Sequence, residues 1–250
     1  MNIISEILLK NGIATFEHGS CGQINNTDCF YVSLSGSDAI KAWEILRTGL
    51  SGYYPVIMPV NFNDRGIISS EINLIKDDID NYQSLHLENW FSLRWGGYDF
   101  DNEDDEMLFF YEEAGEKTPE PEPYSHFTIP YDILTGKPLK KMWIAAFPVA
   151  NFYEIPIYIQ YGGWNACPCP SEHAAVMKYW NRLYGAELIG ITYDEIEMKI
   201  SNPPETYQQA FELAKEQMAY CDDIVFQGTM TVERLAKLLV SGTSWFFWWD

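Results

Sequence analysis

Three cysteines and a histidine in the second half of the chain are of residue types that bind metals or act as nucleophiles. Cys167, Cys169 and His173 lie within seven positions, and Cys221 follows further along. Paired zinc-binding cysteines usually have two or more residues between them, so that both thiolates turn onto one ion. Here one proline separates the cysteines and another follows, which favours an extended segment. We therefore predict no metal site, no cofactor and no Cys/His nucleophile, and expect buried or inactive thiols.

A second pattern, of acidic residues and a lysine, has elements of the metal-dependent nucleases. Glu197-Met198-Lys199 has the E-x-K spacing, and Asp194 and Glu187 precede it. Such enzymes need two carboxylates on a divalent ion and a lysine near the attacked phosphate. A net charge of −20 and the lack of a basic groove would repel nucleic acid. A solvated strand face with Glu197 and Lys199 on the same side is the simpler interpretation, and we assign no catalytic residue.

A scattered polar set in the second half could line a pocket if the fold brings its members together. The segment at residues 162–165 lacks the glycine spacing and lysine of a phosphate-binding loop, which favours a turn beside a packed tryptophan. Two members of the set, at positions 223 and 227, are equally suited to bonding helix ends and loop backbones. The candidate pocket residues are Trp164, Asn165, His173, Glu216, Gln217, Asp223 and Gln227.

One stretch holds half of the chain's net negative charge. Between Asp99 and Glu122 there are eleven acidic residues and one base, Lys117, a local net charge of −10. This charge repels nucleic acid and anionic lipid and attracts basic proteins. Aromatic residues interrupt the charges and could anchor a partner, whereas the spacing of a calcium loop is incomplete. A solvated loop that aids solubility is the alternative. The predicted partner-binding residues are Asp99, Asp101, Glu103, Asp104, Asp105, Glu106, Phe109, Phe110, Tyr111, Glu112 and Glu113.

The first half predicts alternating helices and strands. A short helix carries Ile4 and Leu8 and ends at Gly12. A β-α-β unit follows: a strand over 30–34, a helix capped by Ser37 or Asp38, and a strand over 53–58. Apolar residues at helical spacing from position 72 to 82 predict another helix.

The second half predicts a strand over 142–149, a helix over 171–184, and a hairpin of strands 186–192 and 195–200. Two further helices are predicted over 206–219 and from Thr231 to Val240. Trp245 to Trp249 has aromatic residues on both faces, which predicts a central core strand.

Together these elements predict an α/β or α+β fold, with a mixed β-sheet covered by helices. We divide the chain into an N-terminal α/β region at 1–98, an acidic insert and proline-rich linker at 99–135, and a C-terminal α/β domain at 136–250. No apolar run is long enough to cross a bilayer, and the N-terminus lacks the features of a secretory signal. With five cysteines, an odd number, reduced thiols and a cytoplasmic location are predicted.

Several separated motifs over about residues 142–250 occur together and in order. They are Gly162-Gly163-Trp164-Asn165, Cys167-Pro168, Glu172-His173, Tyr179-Trp180, Tyr184-Gly185-Ala186-Glu187, Glu216-Gln217, Tyr220-Cys221, Asp223-Ile224-Val225, Gln227-Gly228 and Trp248-Trp249-Asp250. This part of the chain resembles an uncharacterised bacterial family, domain-of-unknown-function family 4253. The resemblance implies a domain boundary but no activity.

The charge and the absence of a catalytic set favour a non-enzymatic, cytoplasmic binding protein. By analogy with small acidic bacterial proteins, we expect an immunity protein that occludes a basic toxin, such as a nuclease. The partner would be a basic protein, not nucleic acid or membrane, and the sequence does not define the oligomeric state. An enzyme with a pocket in the C-terminal domain and a structural protein with a solubilising loop are the alternatives.

Overall fold

The computed structural model describes residues 2–60, 62, 68–69, 72–94 and 122–250. Within them, seven strands form one mixed sheet flanked by helices, which confirms the predicted α/β class. The strands are β1 (His18–Ile24), β2 (Thr27–Leu34), β3 (Tyr54–Met58), β4 (Met142–Phe147), β5 (Glu187–Ile191), β6 (Glu195–Lys199) and β7 (Ser244–Trp248). The α-helices are α1 (Ile3–Lys10), α2 (Gly36–Gly49), α3 (Ile72–Ser84), α4 (Leu87–Arg94), α5 (Ile155–Ile159), α6 (Pro170–Tyr184), α7 (Tyr207–Tyr220) and α8 (Val232–Leu239).

The sheet has the strand order β1-β2-β4-β3-β5-β6-β7. β3 and β5 are parallel, and all other neighbouring pairs are antiparallel. β2 and β3 therefore run in the same direction on either side of β4. The predicted β-α-β unit is thus a split unit, with a strand from the second half of the chain between its two strands. One sheet joins both halves, while the division of the chain at residues 98 and 135 stays a prediction.

Short polar side chains begin several of the helices. Thr206 accepts a hydrogen bond from the Gln209 backbone at 3.3 Å, and Thr231 accepts one from the Arg234 backbone at 3.1 Å. α2 begins two to three residues earlier than predicted, because Ser35 is its N-cap. These bonds satisfy backbone N–H groups that have no partner within the helix.

The helices cover two faces of the sheet. On one face, α2 packs on β3, where the Trp43 indole donates to the Pro55 carbonyl at 2.9 Å. On the other, Trp180 of α6 stacks on Phe247 of β7 with ring centroids 5.5 Å apart. We call these the α2 face and the α6 face. None of the helices in the described ranges is both long enough and apolar enough to cross a membrane.

The position of β7 corrects the sequence prediction. β7 pairs only with β6 among the named strands, so it lies at the edge of the sheet rather than at its centre. Its Trp245 and Phe247 are buried on the α6 face, as expected of core residues, whereas Phe246 and Trp248 are half-buried. Burial on both faces comes from helices and loops above and below a strand, and does not require a strand on each side.

The β1–β2 hairpin turns through Asn25 and Asn26, both with positive φ (50° and 62°), a conformation that asparagine tolerates. A bulge between Ser20 and Gly22 disrupts the register of β1. The bulge brings the Cys21 and Cys29 sulfur atoms to 2.8 Å from each other, and both cysteines are free thiols.

Candidate functional site

His173, the central member of the candidate pocket, lies in the core. Its side chain is fully buried in α6. Its Nδ1 is 2.6 Å from the Tyr220 hydroxyl, and its Nε2 is 3.4 Å from the Cys167 sulfur. Gly162 allows its backbone to lie close to that of Pro168, since a Cβ at position 162 would be 1.9 Å from the Pro168 carbonyl oxygen. The imidazole is therefore packed inside the protein, away from any substrate in solution.

The protonation states in this cluster also disfavour nucleophilic chemistry. Burial lowers the pKa of His173 to about 3, with a smaller effect of the Arg94 charge. Burial raises the pKa of the Cys167 thiol to about 12. At neutral pH the pair is consequently a neutral imidazole and a thiol, whereas a cysteine nucleophile requires a thiolate. The imidazole has the environment of a core residue whose ring nitrogens are both within hydrogen-bond range of side chains.

Glu216 and Gln217 lie on α7 and face two different environments. The Glu216 carboxylate accepts hydrogen bonds from the Tyr179 hydroxyl and the Trp180 indole, each at 2.9 Å. Burial raises the pKa of Glu216, and these two bonds oppose the rise. Gln217 is 1% exposed, and its amide nitrogen has no hydrogen-bond partner in the described part of the chain. Glu216 thus joins α7 to α6.

Three of the remaining members, Asn165, Asp223 and Gln227, form a clasp on the Asp250 backbone. Asn165 donates to the Asp250 carbonyl at 2.6 Å, and the Asp250 N–H donates to the Asp223 carboxylate at 3.0 Å. Gln227 donates to the same carboxylate at 2.7 Å. The alternative in which these residues hold loop backbones therefore fits Asp223, whereas Gln227 bonds the Asp223 side chain. Trp164 packs against Tyr161 with ring centroids 5.1 Å apart.

The structure thus distributes the candidate pocket over a buried core cluster, a helix–helix contact and a backbone clasp. Within the described residues, no group of three or more His, Cys, Asp and Glu side chains could hold a metal ion. The residues predicted to bind a partner, Asp99, Asp101, Glu103, Asp104, Asp105, Glu106, Phe109, Phe110, Tyr111, Glu112 and Glu113, lie outside the described residues.

A cavity of about 800 Å³ lies on the α2 face. Residues 122–139, which we call the strap, cross the sheet there and form one wall. α2 forms a second wall with Ile40 and Glu44, and Glu195 and Lys199 of β6 form part of the floor. This volume is within the usual range of ligand sites. No sequence motif indicated the cavity, because the strap and α2 are far apart along the chain.

A buried carboxylate holds the strap on the sheet. One Glu197 oxygen accepts from the Thr128 N–H and hydroxyl, each at 2.6 Å, and the other accepts from the Ile129 N–H at 3.1 Å. The expected solvated strand face is therefore wrong for Glu197, which is 2% exposed. The shared side of Glu197 and Lys199 is confirmed by their alternation on β6. Burial raises the pKa of Glu197, although its three hydrogen bonds favour the charged form.

The E-x-K pattern consequently has a structural role. Glu187, the second carboxylate of the nuclease interpretation, forms an ion pair with Arg47 of α2 at 2.5 Å. Lys199 pairs with Glu44 at 2.8 Å. Glu187, Glu197 and Lys199 thus each bind a neighbouring segment, and together they fix α2 and the strap on β5 and β6.

Comparison with known proteins gives a match to the second half of the chain. No curated protein and no solved structure matches the chain at a significant level. β4 to β7 and α5 to α8 lie in the segment with the family motifs, although β3 from the first half separates β4 from β5 in the sheet. Residues 143–250 match the model of the family described as Domain of unknown function (DUF4253), which is the family that the sequence resembles.

Proposed function

We propose that this chain is a non-enzymatic acidic binding protein of the immunity type, which neutralises a basic bacterial toxin by occluding it. The observation that carries the proposal is the charge: 36 acidic residues against 16 lysines and arginines, with a local net charge of −10 over residues 99–122. Acidic surfaces of this kind steer basic proteins into contact and suppress binding of nucleic acid. The acidic segment would provide the electrostatic attraction, and Phe109, Phe110 and Tyr111 the apolar anchors.

The described residues support the proposal in two ways. The polar side chains that could have formed a catalytic set are instead bound to core or backbone groups, as for His173 and Glu197. Lys141 and Lys215 also form ion pairs, with Glu17 and Glu212. Because the chain has 20 more acidic residues than lysines and arginines, the acids left over determine the surface field.

Co-expression with the product of the adjacent gene tests this function, since immunity proteins are commonly encoded beside their toxins. We expect the intact chain to restore growth of cells that express that product. A variant with Asp101, Glu103, Asp104, Asp105 and Glu106 changed to amides should protect poorly, because it loses the charges that attract the toxin.

A matched control removes the same charge elsewhere, at Glu6, Asp77, Asp80, Glu88 and Glu205, which are exposed. We expect this control to protect nearly as well as the unaltered chain. Equal protection by both variants would exclude the acidic segment as the docking surface. An adjacent-gene product that is harmless, or whose toxicity the chain leaves unchanged, would contradict the function itself.

A further inference from the structure

The cavity between the strap and α2 has a negative charge that its own residues leave uncompensated. Three carboxylates line it, those of Glu44, Asp132 and Glu195, and Lys199 is the one lysine or arginine among the described lining residues. Lys199 lies 2.8 Å from Glu44, so these two charges cancel. Asp132 and Glu195 then face the cavity with no cationic partner in the described part of the chain.

Each of the two remaining carboxylates is held in place. Asp132 accepts hydrogen bonds from the Thr135 N–H and hydroxyl, both at 2.8 Å, and these bonds lower its pKa. Glu195 accepts from the Thr192 hydroxyl at 3.3 Å. Burial, together with the neighbouring Asp194, raises the pKa of Glu195. A cation in the cavity would relieve this unfavourable environment, because an opposite charge favours the ionised carboxylate.

The rim of the cavity exposes large apolar side chains. Ile133 and Leu134, at the tip of the strap's turn, are 86% and 91% exposed, and Tyr131 is 40% exposed. Both walls below them also contribute apolar residues, Ile40 from α2 and Phe127 from the strap. Exposed apolar residues grouped beside a concave site are typical of surfaces that bind another protein.

We propose that this cavity receives an arginine or lysine side chain of a protein partner, while Ile133 and Leu134 pack against apolar residues that flank it. The charge selects a cation, and the apolar rim selects a peptide segment over a small ion. This inference rests on the proposed function, since it names one part of the basic partner that the chain recognises. It adds a docking point formed by described residues, in addition to the residues between 99 and 113 that the sequence predicts to bind the partner.

Binding of a short peptide to the full chain tests the inference. The probe is a capped heptapeptide with a central arginine flanked by leucines, and its matched control has citrulline, which is uncharged and nearly the same shape. We expect the arginine peptide to bind about tenfold more tightly by calorimetry. Glu195→Gln should reduce this preference to nearly none, and Lys199→Met should increase it.

Glu88→Gln is the control variant, since Glu88 is an exposed acid on α4, which packs against α7 on the α6 face. It should leave the preference within about twofold of the unaltered chain, because a distant exposed charge is screened by salt. Equal binding of both peptides, or an unchanged preference in Glu195→Gln, would overturn the inference. Agmatine binding as tightly as the peptide would overturn the role of the apolar rim.

The test separates this inference from the proposed function. If growth rescue fails but the arginine peptide binds through Glu195, the cavity recognises cationic segments of another kind of partner. A different outcome would make the inference wrong. Glu195→Gln could lose its preference for the arginine peptide and still restore growth as well as the unaltered chain does. The toxin would then dock elsewhere.

Discussion

Replacing Glu197 by alanine is expected to lower the free energy of unfolding by about 4 kcal/mol, the largest effect of any single carboxylate on β6. The change removes three charge-assisted hydrogen bonds and leaves the N–H groups of the strap residues Thr128 and Ile129 unpaired on the side that faces the sheet. Glu197→Gln should lose roughly half as much, because an amide oxygen can still accept from Thr128. Chemical denaturation measures both values.

Glu195→Ala is the control, since Glu195 lies on the same face of the same strand but is only half-buried. Glu195→Ala should lower the free energy of unfolding by less than about 1 kcal/mol. Hydrogen exchange at the Thr128 and Ile129 amides should speed up in Glu197→Ala and not in Glu195→Ala. Equal stability of the two alanine variants would mean that Glu197 does not hold the strap.

The second large effect is a dependence of stability on pH that arises from His173. Its pKa is about 3 in the folded protein, against 6.5 as its ordinary value. Between these values the unfolded chain binds a proton that the folded protein does not, so the free energy of unfolding falls as the pH decreases. The contribution is about 1.4 kcal/mol per pH unit in this window, or roughly 3 kcal/mol from pH 7 to pH 4. Above pH 7 it is constant.

His173→Gln should therefore flatten the curve of stability against pH in this window, whatever its stability at pH 7. The matched control is His86→Gln, since His86 is exposed. Carboxylates also titrate below pH 5 and change the stability of both variants. Subtracting one curve of unfolding free energy against pH from the other removes this common contribution. Identical slopes for His173→Gln and His86→Gln between pH 6 and about pH 4 would show that His173 is accessible to protons in the folded protein.

Local patterns predicted most of the elements in the second half. The bounds of α6, of the β5–β6 hairpin and of α8 all lie within one residue of the predicted ranges. Each of these features is determined by residues within a few positions of one another, so that a single sequence contains the information.

Two of the elements that the sequence did not predict, β1 and α4, have weak local signals. β1 has few apolar residues (HGSCGQI), and its pairing with β2 depends on the Asn25-Asn26 turn. The hydrophobic side of α4 is weakly defined, and its Trp90 is held by Glu172 of α6 at 2.6 Å. Insertion of β4 between β2 and β3 depends on long-range pairing, about which spacing along the chain carries no information.

The environments of the candidate residues are harder to predict from the sequence than the fold, for a related reason. Glu197 was identified as a chemically notable residue, yet its burial depends on the strap, which lies about 70 positions earlier in the chain. The cavity likewise requires α2, the strap and β6 to meet. His173 was a reasonable candidate for chemistry by type, and only its complete burial against Tyr220 indicates a role in the core.

The most direct test of the proposed function is the rate at which the chain associates with the adjacent-gene product, measured by stopped flow over a range of ionic strength. If the acidic segment steers a basic toxin, changing Asp101, Glu103, Asp104, Asp105 and Glu106 to amides should slow association about tenfold at low salt and flatten its salt dependence. The control variant with the five exposed substitutions outside this segment, which has the same net charge, should keep most of the rate. Equal rates and equal salt dependence for the two variants and the unaltered chain would contradict electrostatic docking through this segment.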